Sequence, residues 1–254
     1  LYESRQHKRS KRESLDCAMA LEELVAMGVE NIITFDAHDP RVQNAVPLMG
    51  LDNIIPSYQV LKAMFKNLSD FRPDKDHFMI ISPDEGAINR NMYYASVLGV
   101  NLGMFYKRRD YSTIIDGRNP IVAHEFLGDN IEGKDIIIID DMISSGGSML
   151  DTAKQLKAMK ARRVYICCTF GLFTDGLKNF DAAYEHGDFD KVITTNLTYL
   201  PPEIYTRPYF VEADMSKFIA SLIDFMNHDA SLSNVMATTE KIHGIVEAYN
   251  NRTE

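Results

Sequence analysis

The sequence predicts an α/β protein built on mostly parallel sheets, and three features predict it. Apolar runs of strand length alternate along the chain with segments of helical spacing, as in strands joined through crossover helices. The run Ile136–Ile139 is β-branched and apolar at every position, which suits a strand buried on both faces. Polar residues suited to ligand chemistry follow the strands, at the edge where open α/β sheets bind their ligands.

The chain has 254 residues, enough for one large domain or two smaller ones. A hydrophobic content of 45% with 25% charged residues is that of a soluble globular protein. The formal net charge of −9 argues against nonspecific nucleic-acid binding and against an anionic membrane surface. Neither nucleic acid nor membrane is therefore expected as a partner. Cys17, Cys167 and Cys168 form no disulfide framework and no metal motif; the last two read as buried thiols, as in a reducing cytoplasm. No apolar run reaches the roughly 18 residues of a membrane span, and no signal peptide is evident. The chain opens on Leu1 rather than Met, directly in a charged segment, so a fragment of a longer protein is the expectation.

Taken in order, Leu1–Lys11 is rich in Arg and Lys although the chain as a whole is acidic. It is either a solvated basic terminus or a polyphosphate site, since Arg offers paired donors to phosphate. Glu13–Met27 has helical spacing through Leu15, Ala18, Leu21 and Leu24, with Gly28 as its stop. Asn31–Phe35 is a short strand that runs into Asp36-Ala37-His38-Asp39-Pro40. Asp36 and His38, two apart, could hold a metal from one side; turn chemistry before Pro40 explains the same residues. Leu51–Pro56 leads to an amphipathic helix through Leu61, Met64, Phe65 and Leu68. The polar stretch Ser69–Asp76 is the expected boundary between two lobes, residues 1–74 and 75–212, with residues 213–254 as C-terminal helices.

His77–Ser82 reads as a strand, Pro83–Ala87 as a turn and Asn89–Leu98 as a helix. Asp84, at a strand end before a Gly turn, suits a metal or a ribose, or caps the helix. Val100–Phe105 is the next strand, with Lys107, Arg108 and Arg109 coming off its end into the irregular segment Tyr111–Val122. That is the pattern of a cationic lid over a substrate, or of a solvated basic turn.

The Gly128–Lys134 turn enters the central strand, which Asp140 and Asp141 close. Ser144-Ser145-Gly146-Gly147-Ser148 follows, and then a helix through Met149, Ala153 and Leu156. Strand, acidic end, small hydroxylated loop and helix suit a phosphorylated sugar. The loop amides can form a nest at a helix N-terminus, the glycines permit close approach, and the aspartates can accept from sugar hydroxyls. An ordinary strand–turn–helix connection uses the same residue types. The Gly-Lys-Ser/Thr ending of a Walker loop is absent. Strands at Val164–Thr169, Lys191–Thr195 and Tyr209–Val211 follow, with helices at Phe180–Glu185, Met215–Met226 and Ser231–Tyr249.

The segment Asp140–Ser148 resembles the phosphoribosyl pyrophosphate (PRPP) loop of type I phosphoribosyltransferases, and more closely the ribose-5-phosphate loop of PRPP synthetases (ribose-phosphate pyrophosphokinases). Ser4-Arg5-Gln6-His7-Lys8, Asp36-Ala37-His38, Ser82-Pro83-Asp84-x-Gly86, Lys107-x-Arg109 and Thr195-Asn196-Leu197-Thr198 are similar to further segments of the synthetases. The departures are His7, where the family usually has Asp, and Phe170-Gly171, where it often has His-Gly. The resemblance implies two phosphoribosyltransferase-like lobes, the first incomplete in this chain. It implies a diphosphoryl transfer from ATP to the 1-hydroxyl of ribose 5-phosphate, giving PRPP and AMP. The implied roles are ATP contact for Arg5 and Gln6, and magnesium (Mg2+) contact for His38 and Asp84. Lys107 and Arg109 would be catalytic. Asp140, Asp141, Ser144, Ser145, Gly146, Gly147 and Ser148 would bind ribose 5-phosphate. A cytoplasmic homo-oligomer, dimer or hexamer, with shared ATP sites is implied as well. Competing expectations are a phosphoribosyltransferase that consumes PRPP, a catalytically silent regulatory paralogue and a plain binding module.

Overall fold

The computed structural model describes residues 14–68, 71, 73–109 and 121–250. The chain divides into two compact units, residues 1–56 and 57–254.

In the first unit, α1 (Asp16–Ala26) precedes β1 (Asn31–Phe35). A 3-10 turn (Pro40–Ala45) then leads to β2 (Gly50–Ile54), which pairs parallel with β1 from Asn31↔Gly50 to Phe35↔Ile54. Its small core joins Leu21 of α1 to Ala37, Val42 and Val46.

The second unit is a seven-stranded sheet in the order β5-β4-β3-β6-β7-β8-β9. Its strands are β3 (Phe78–Ser82), β4 (Asn101–Arg109), β5 (Ile121–Leu127), β6 (Asp135–Ile143), β7 (Arg163–Gly171), β8 (Lys191–Thr195) and β9 (Phe210–Ala213). All neighbours are parallel except β4 and β5, an antiparallel pair at one edge. The helices are α2 (Ser57–Asn67), α3 (Ile88–Leu98), α4 (Gly147–Ala158), α5 (Lys178–His186), α6 (Ser216–Asn227), α7 (Ser233–Met236) and α8 (Thr238–Asn250).

The isoleucine run lies in β6, the central strand, and Ile136–Ile138 have no exposed surface. Alternation along β6 and β7 sends side chains to both faces. Ile136, Ile138 and Cys168 join Met149, Ala153 and Leu156 of α4 in one core. The neighbouring Cys167 faces the other way, with its Sγ 3.9 Å from Sδ of Met64 in α2. Helices thus cover both faces, as the unbroken apolar run demands.

Four expectations change. The helix at Ser57–Asn67 belongs to the second unit, so the division falls at Pro56/Ser57 and not at the polar stretch near residue 74. Burial of Val60, Leu61 and Met64 against that sheet outweighs the composition change. Asp140 and Asp141 lie inside β6, which continues to Ile143, because β7 still pairs at Met142↔Phe170 and Ile143↔Gly171. Lys107 and Arg109 lie within β4 rather than beyond it, paired with His124 and Ile121 of β5. The C-terminal helix is broken at Ala237 into α7 and α8. Ring contact of Phe65 with Tyr249, a hydrogen bond between the hydroxyls of Tyr93 and Thr238 and the buried Ile242 dock α8 onto α2 and α3.

Candidate active site

Three loops converge where β3, β6 and β7 end. The turn after β3 carries Asp84. Its Oδ1 accepts from the backbone N–H groups of Gly86 at 3.0 Å and Ala87 at 3.3 Å, while Ser82 Oγ donates to its carbonyl at 2.7 Å. Asp84 therefore organises the turn into α3 as an Asx-type cap and still presents a carboxylate.

Asp140 is the electrostatic focus. Its side chain is 26% exposed, and Oδ1 lies 3.6 Å from Nη1 of Arg90, itself 9% exposed. The backbone N–H of Asp141 donates to the same Oδ1 at 2.9 Å. Burial, a hydrogen bond to Asp141 and the negative charges of Asp141 and Asp84 push the Asp140 carboxyl up to about 8. Three carboxyl groups are thus gathered at one place, and their mutual repulsion, with Arg90 as a partial counterion, favours a proton on Asp140 at neutral pH. A divalent cation or a set of sugar hydroxyls would relieve that repulsion.

The hydroxylated loop follows directly. Gly146 has φ +87°, and a Cβ there would lie 2.4 Å from the Phe180 ring, so both backbone angle and space require glycine. It precedes α4, and no side chain caps that helix start. The first amides of α4 are thereby available for an anion. Ser144, Ser145, Gly147 and Ser148 are exposed. The backbone N–H of Thr174 donates to the Ser144 carbonyl at 3.0 Å, and the two hydroxyls lie 3.4 Å apart. The loop after β7 thus braces the loop after β6.

At the neighbouring strand end, Thr195 Oγ1 donates to the Thr169 carbonyl at 2.5 Å. Asn196 Nδ2 donates to Asp214 at 2.9 Å, and its Oδ1 accepts from the Met215 backbone at 2.8 Å. The Thr195–Asn196 segment locks β8 to the chain after β9.

In the first unit, Asp36 is buried at φ +41°, an uncommon angle for a residue other than glycine. Its N–H donates to the Ile54 carbonyl at 2.9 Å, and that of Ala37 to Asn53 Oδ1 at 2.9 Å. Asp39 is held by a paired contact to the Arg41 guanidinium. His38 is the exposed residue between these anchored neighbours.

The second unit therefore brings together Asp84, Asp140, Asp141 and the Ser144–Ser148 loop. His38 belongs to the other unit. Only the backbone of Lys107 and Arg109 is described, and Arg5 and Gln6 lie outside the described residues. Among the described residues no three His, Cys, Asp or Glu side chains form a metal cage. The clustered carboxylates nonetheless fit magnesium, a hard cation held by one or two carboxylates and completed by water and phosphate. Sequence inspection had no role for Asn91, Thr174 or Phe180. Each acts through residues distant in sequence, which local pattern does not reveal.

Residues 51–189 match the family described as phosphoribosyl transferase domain, and that match covers more than half of the chain. The chain belongs to that family. Phosphoribosyl transferase domains are thus the frame for the loop after β6. Curated relatives named ribose-phosphate pyrophosphokinase include that of Vibrio cholerae, 28% identical over 228 residues, covering 89% of this chain and 67% of the relative. Those of Ralstonia nicotianae and Thermococcus kodakarensis are each 29% identical, over 74% and 59% of this chain and 54% and 49% of the relatives. The matches thus span about half to two-thirds of the relatives' own length. The crystal structure of phosphoribosylpyrophosphate synthetase from Mycobacterium smegmatis shares the fold. The TM-score is 0.72 over 89% of this chain and 69% of that one, at 22% identity.

Proposed function

We propose that this protein is a ribose-phosphate diphosphokinase. It would move the β,γ-diphosphoryl group of ATP to the 1-hydroxyl of ribose 5-phosphate and release PRPP and AMP. The observation that carries this is the placement of Asp84 beside the Asp140–Asp141 pair, directly ahead of the uncapped Ser144–Ser148 loop. The names of the relatives point the same way.

In this mechanism the loop amides and the hydroxyls of Ser144, Ser145 and Ser148 grip the 5-phosphate, and Gly146 and Gly147 allow the backbone to close on it. Asp140 and Asp141 accept from the ribose hydroxyls and fix the direction of O1. The bond from O1 to the β-phosphorus forms as the bridge to the α-phosphate breaks, and AMP leaves with the bridging oxygen. Such a transfer depends on alignment and charge neutralisation rather than on a covalent enzyme intermediate. Magnesium, when bound, neutralises phosphate charge; Asp84 and His38 are its proposed protein contacts. Lys107 and Arg109 would supply cations to the transferring group, and Arg5 and Gln6 would hold ATP.

A type I phosphoribosyltransferase that consumes PRPP would share the acidic pair and the phosphate loop. It has no need for the series Arg5-Gln6, Asp36-Ala37-His38 and Ser82-Pro83-Asp84. The deciding measurement is AMP release from ATP with ribose 5-phosphate added or withheld. AMP that appears only with the sugar phosphate and magnesium supports the proposal. PRPP consumption with a purine or pyrimidine base and no AMP release would replace it. Lys107→Ala should lower turnover by about two orders of magnitude, the loss of about 3 kcal/mol of transition-state stabilisation, without altering the fold. Full turnover in that variant would remove the role given to Lys107.

A further inference from the structure

We propose that Asn91 is a positioning residue that sets the spacing between the Asp84 carboxylate and the Asp140–Asp141 pair, and so tunes the affinity of this cluster for a divalent cation. The inference rests on Asp84 being a magnesium contact and Asp140 and Asp141 the neighbouring sugar contacts, as described under Proposed function.

Asn91 is a polar residue with 0% exposure on the buried side of α3, whose other buried positions there are Tyr94, Ala95, Val97 and Leu98. Its Nδ2 donates to the Ile139 carbonyl at 2.9 Å and to the Ala87 carbonyl at 2.8 Å, and lies 3.3 Å from Ser82 Oγ. Each of these partners reaches an aspartate. Ile139 is bonded directly to Asp140. Ala87 donates its own N–H to Asp84 Oδ1, and Ser82 donates to the Asp84 carbonyl. One amide group therefore touches the backbone before Asp140 and both braces of the Asp84 turn.

The strand register shows why a bridge is needed at this point. The β3–β6 ladder ends at Ile81↔Ile138, where β3 passes into the Asp84 turn while β6 runs on to Ile143 against β7. The Ile139 carbonyl falls just past the last pair, and the Asn91 amide fills the fork. The Asp84 turn and the Asp140–Asp141 pair leave this fork on different elements, so their spacing depends on what ties the strands there.

Among the described residues, Asn91 Oδ1 is buried without a partner. An unsatisfied buried acceptor lowers stability. An aliphatic residue would avoid that penalty, so packing alone gives no reason for asparagine here. The two N–H bonds, aimed at two different loops, give one.

The test uses the full chain and its Asn91→Ala, Asn91→Leu and Ser82→Ala variants. Asn91→Leu keeps the branched shape, with somewhat more bulk, and removes the donors; Ser82→Ala cuts an independent part of the bridge. Mn2+ binding in the presence of ribose 5-phosphate is followed by the free-ion electron paramagnetic resonance signal. Ribose 5-phosphate binding without metal is followed by calorimetry, and folding by thermal melting. Cation affinity should fall about tenfold in the Asn91 variants, the usual scale for an outer-shell partner. Sugar-phosphate affinity should fall less, by no more than about threefold, since Thr174 and Phe180 hold the phosphate loop separately and only the Asp140–Asp141 contacts to the ribose are disturbed. Unchanged cation affinity in a folded variant overturns the inference, as does an equal loss of both ligands. A wild-type chain that binds ribose 5-phosphate but no Mn2+ would instead remove the underlying cation site, which separates the two failures.

Discussion

Gly146 concentrates the demands of the sugar-phosphate loop in one position. Its φ of +87° costs a side-chain-bearing residue about 1–2 kcal/mol, and a Cβ would also strike Phe180 at 2.4 Å. Phe180 has no exposed surface and is in edge contact with Phe173 and Phe189, so it has little room to retreat. The loop backbone would have to move instead. Gly146→Ala is expected to lower stability by about 2 kcal/mol in urea titration. It should also weaken ribose 5-phosphate binding by at least about tenfold, since the amides no longer converge. Retained affinity in a folded Gly146→Ala protein would show that the loop does not grip the phosphate. The residues of this loop were legible in the sequence because their chemistry is local: five small residues between a strand and a helix. Asn91 was not. Its three partners come from β3, the following turn and β6, and the decisive one lies 48 positions away in the chain. A lone Asn in a helical pattern carries no sign of that partnership.

At the scale of elements, the buried central strands were easy to read, and β5 and β2 were not. The β6 run is apolar on both faces and admits one interpretation. β5 reads Ile-Val-Ala-His-Glu-Phe-Leu, which neither alternates cleanly nor forms an apolar block, and its sole strand partner among the described residues is β4. Pairing with β4 makes it a strand, as tertiary context overrides a weak local pattern. β2 escaped notice for the same reason. The entry to β6 has a different kind of anchor. Asp135, its first residue, is buried to 1% side-chain exposure, and Arg162, just ahead of β7, holds it through two guanidinium contacts. Arg162→Ala would leave that carboxylate buried without its counterion. The expected loss is about 3 kcal/mol in denaturant titration, the low end for a broken buried pair because Arg162 is itself 43% exposed. A loss below about 0.5 kcal/mol would class the pair with ordinary surface bridges. On α5, Asp181 accepts from Arg207 at 2.8 and 2.9 Å and from Tyr209 at 2.8 Å. The Arg207 guanidinium, ahead of Tyr209, holds its carboxyl below the usual range. The stabilisation is complete above the unfolded value of about 3.9 and is lost as pH falls through the depressed folded value. Asp181→Asn should therefore flatten the stability profile in that acid window and lower neutral stability by at most about 1 kcal/mol, Asp181 being partly solvated.

For the whole molecule, the two units carry different parts of the proposed chemistry. In the second unit, the cluster that packs α4 against the sheet joins residues from Met79 to Tyr209; in the first, a separate cluster joins residues between Cys17 and Leu51. α2 belongs with the second unit, and α8 closes over α2 and α3. Residues 57–254 thus contain their own sheet, both covering layers, the acidic cluster and the Ser144–Ser148 loop. Arg5, Gln6 and His38 are all outside that stretch. A chain of residues 57–254 should unfold cooperatively and bind ribose 5-phosphate within about threefold of the full chain, as expected for a site whose supports are all present. It should release no AMP from ATP, because the proposed ATP contacts and one proposed magnesium contact are gone. Calorimetric binding and the AMP assay on the same preparation separate the two expectations. Loss of sugar-phosphate binding in a folded 57–254 chain would mean that residues 1–56 contribute to that site after all. AMP release by the shortened chain would strip Arg5, Gln6 and His38 of their proposed roles, and leave Asp84 as the remaining proposed magnesium contact.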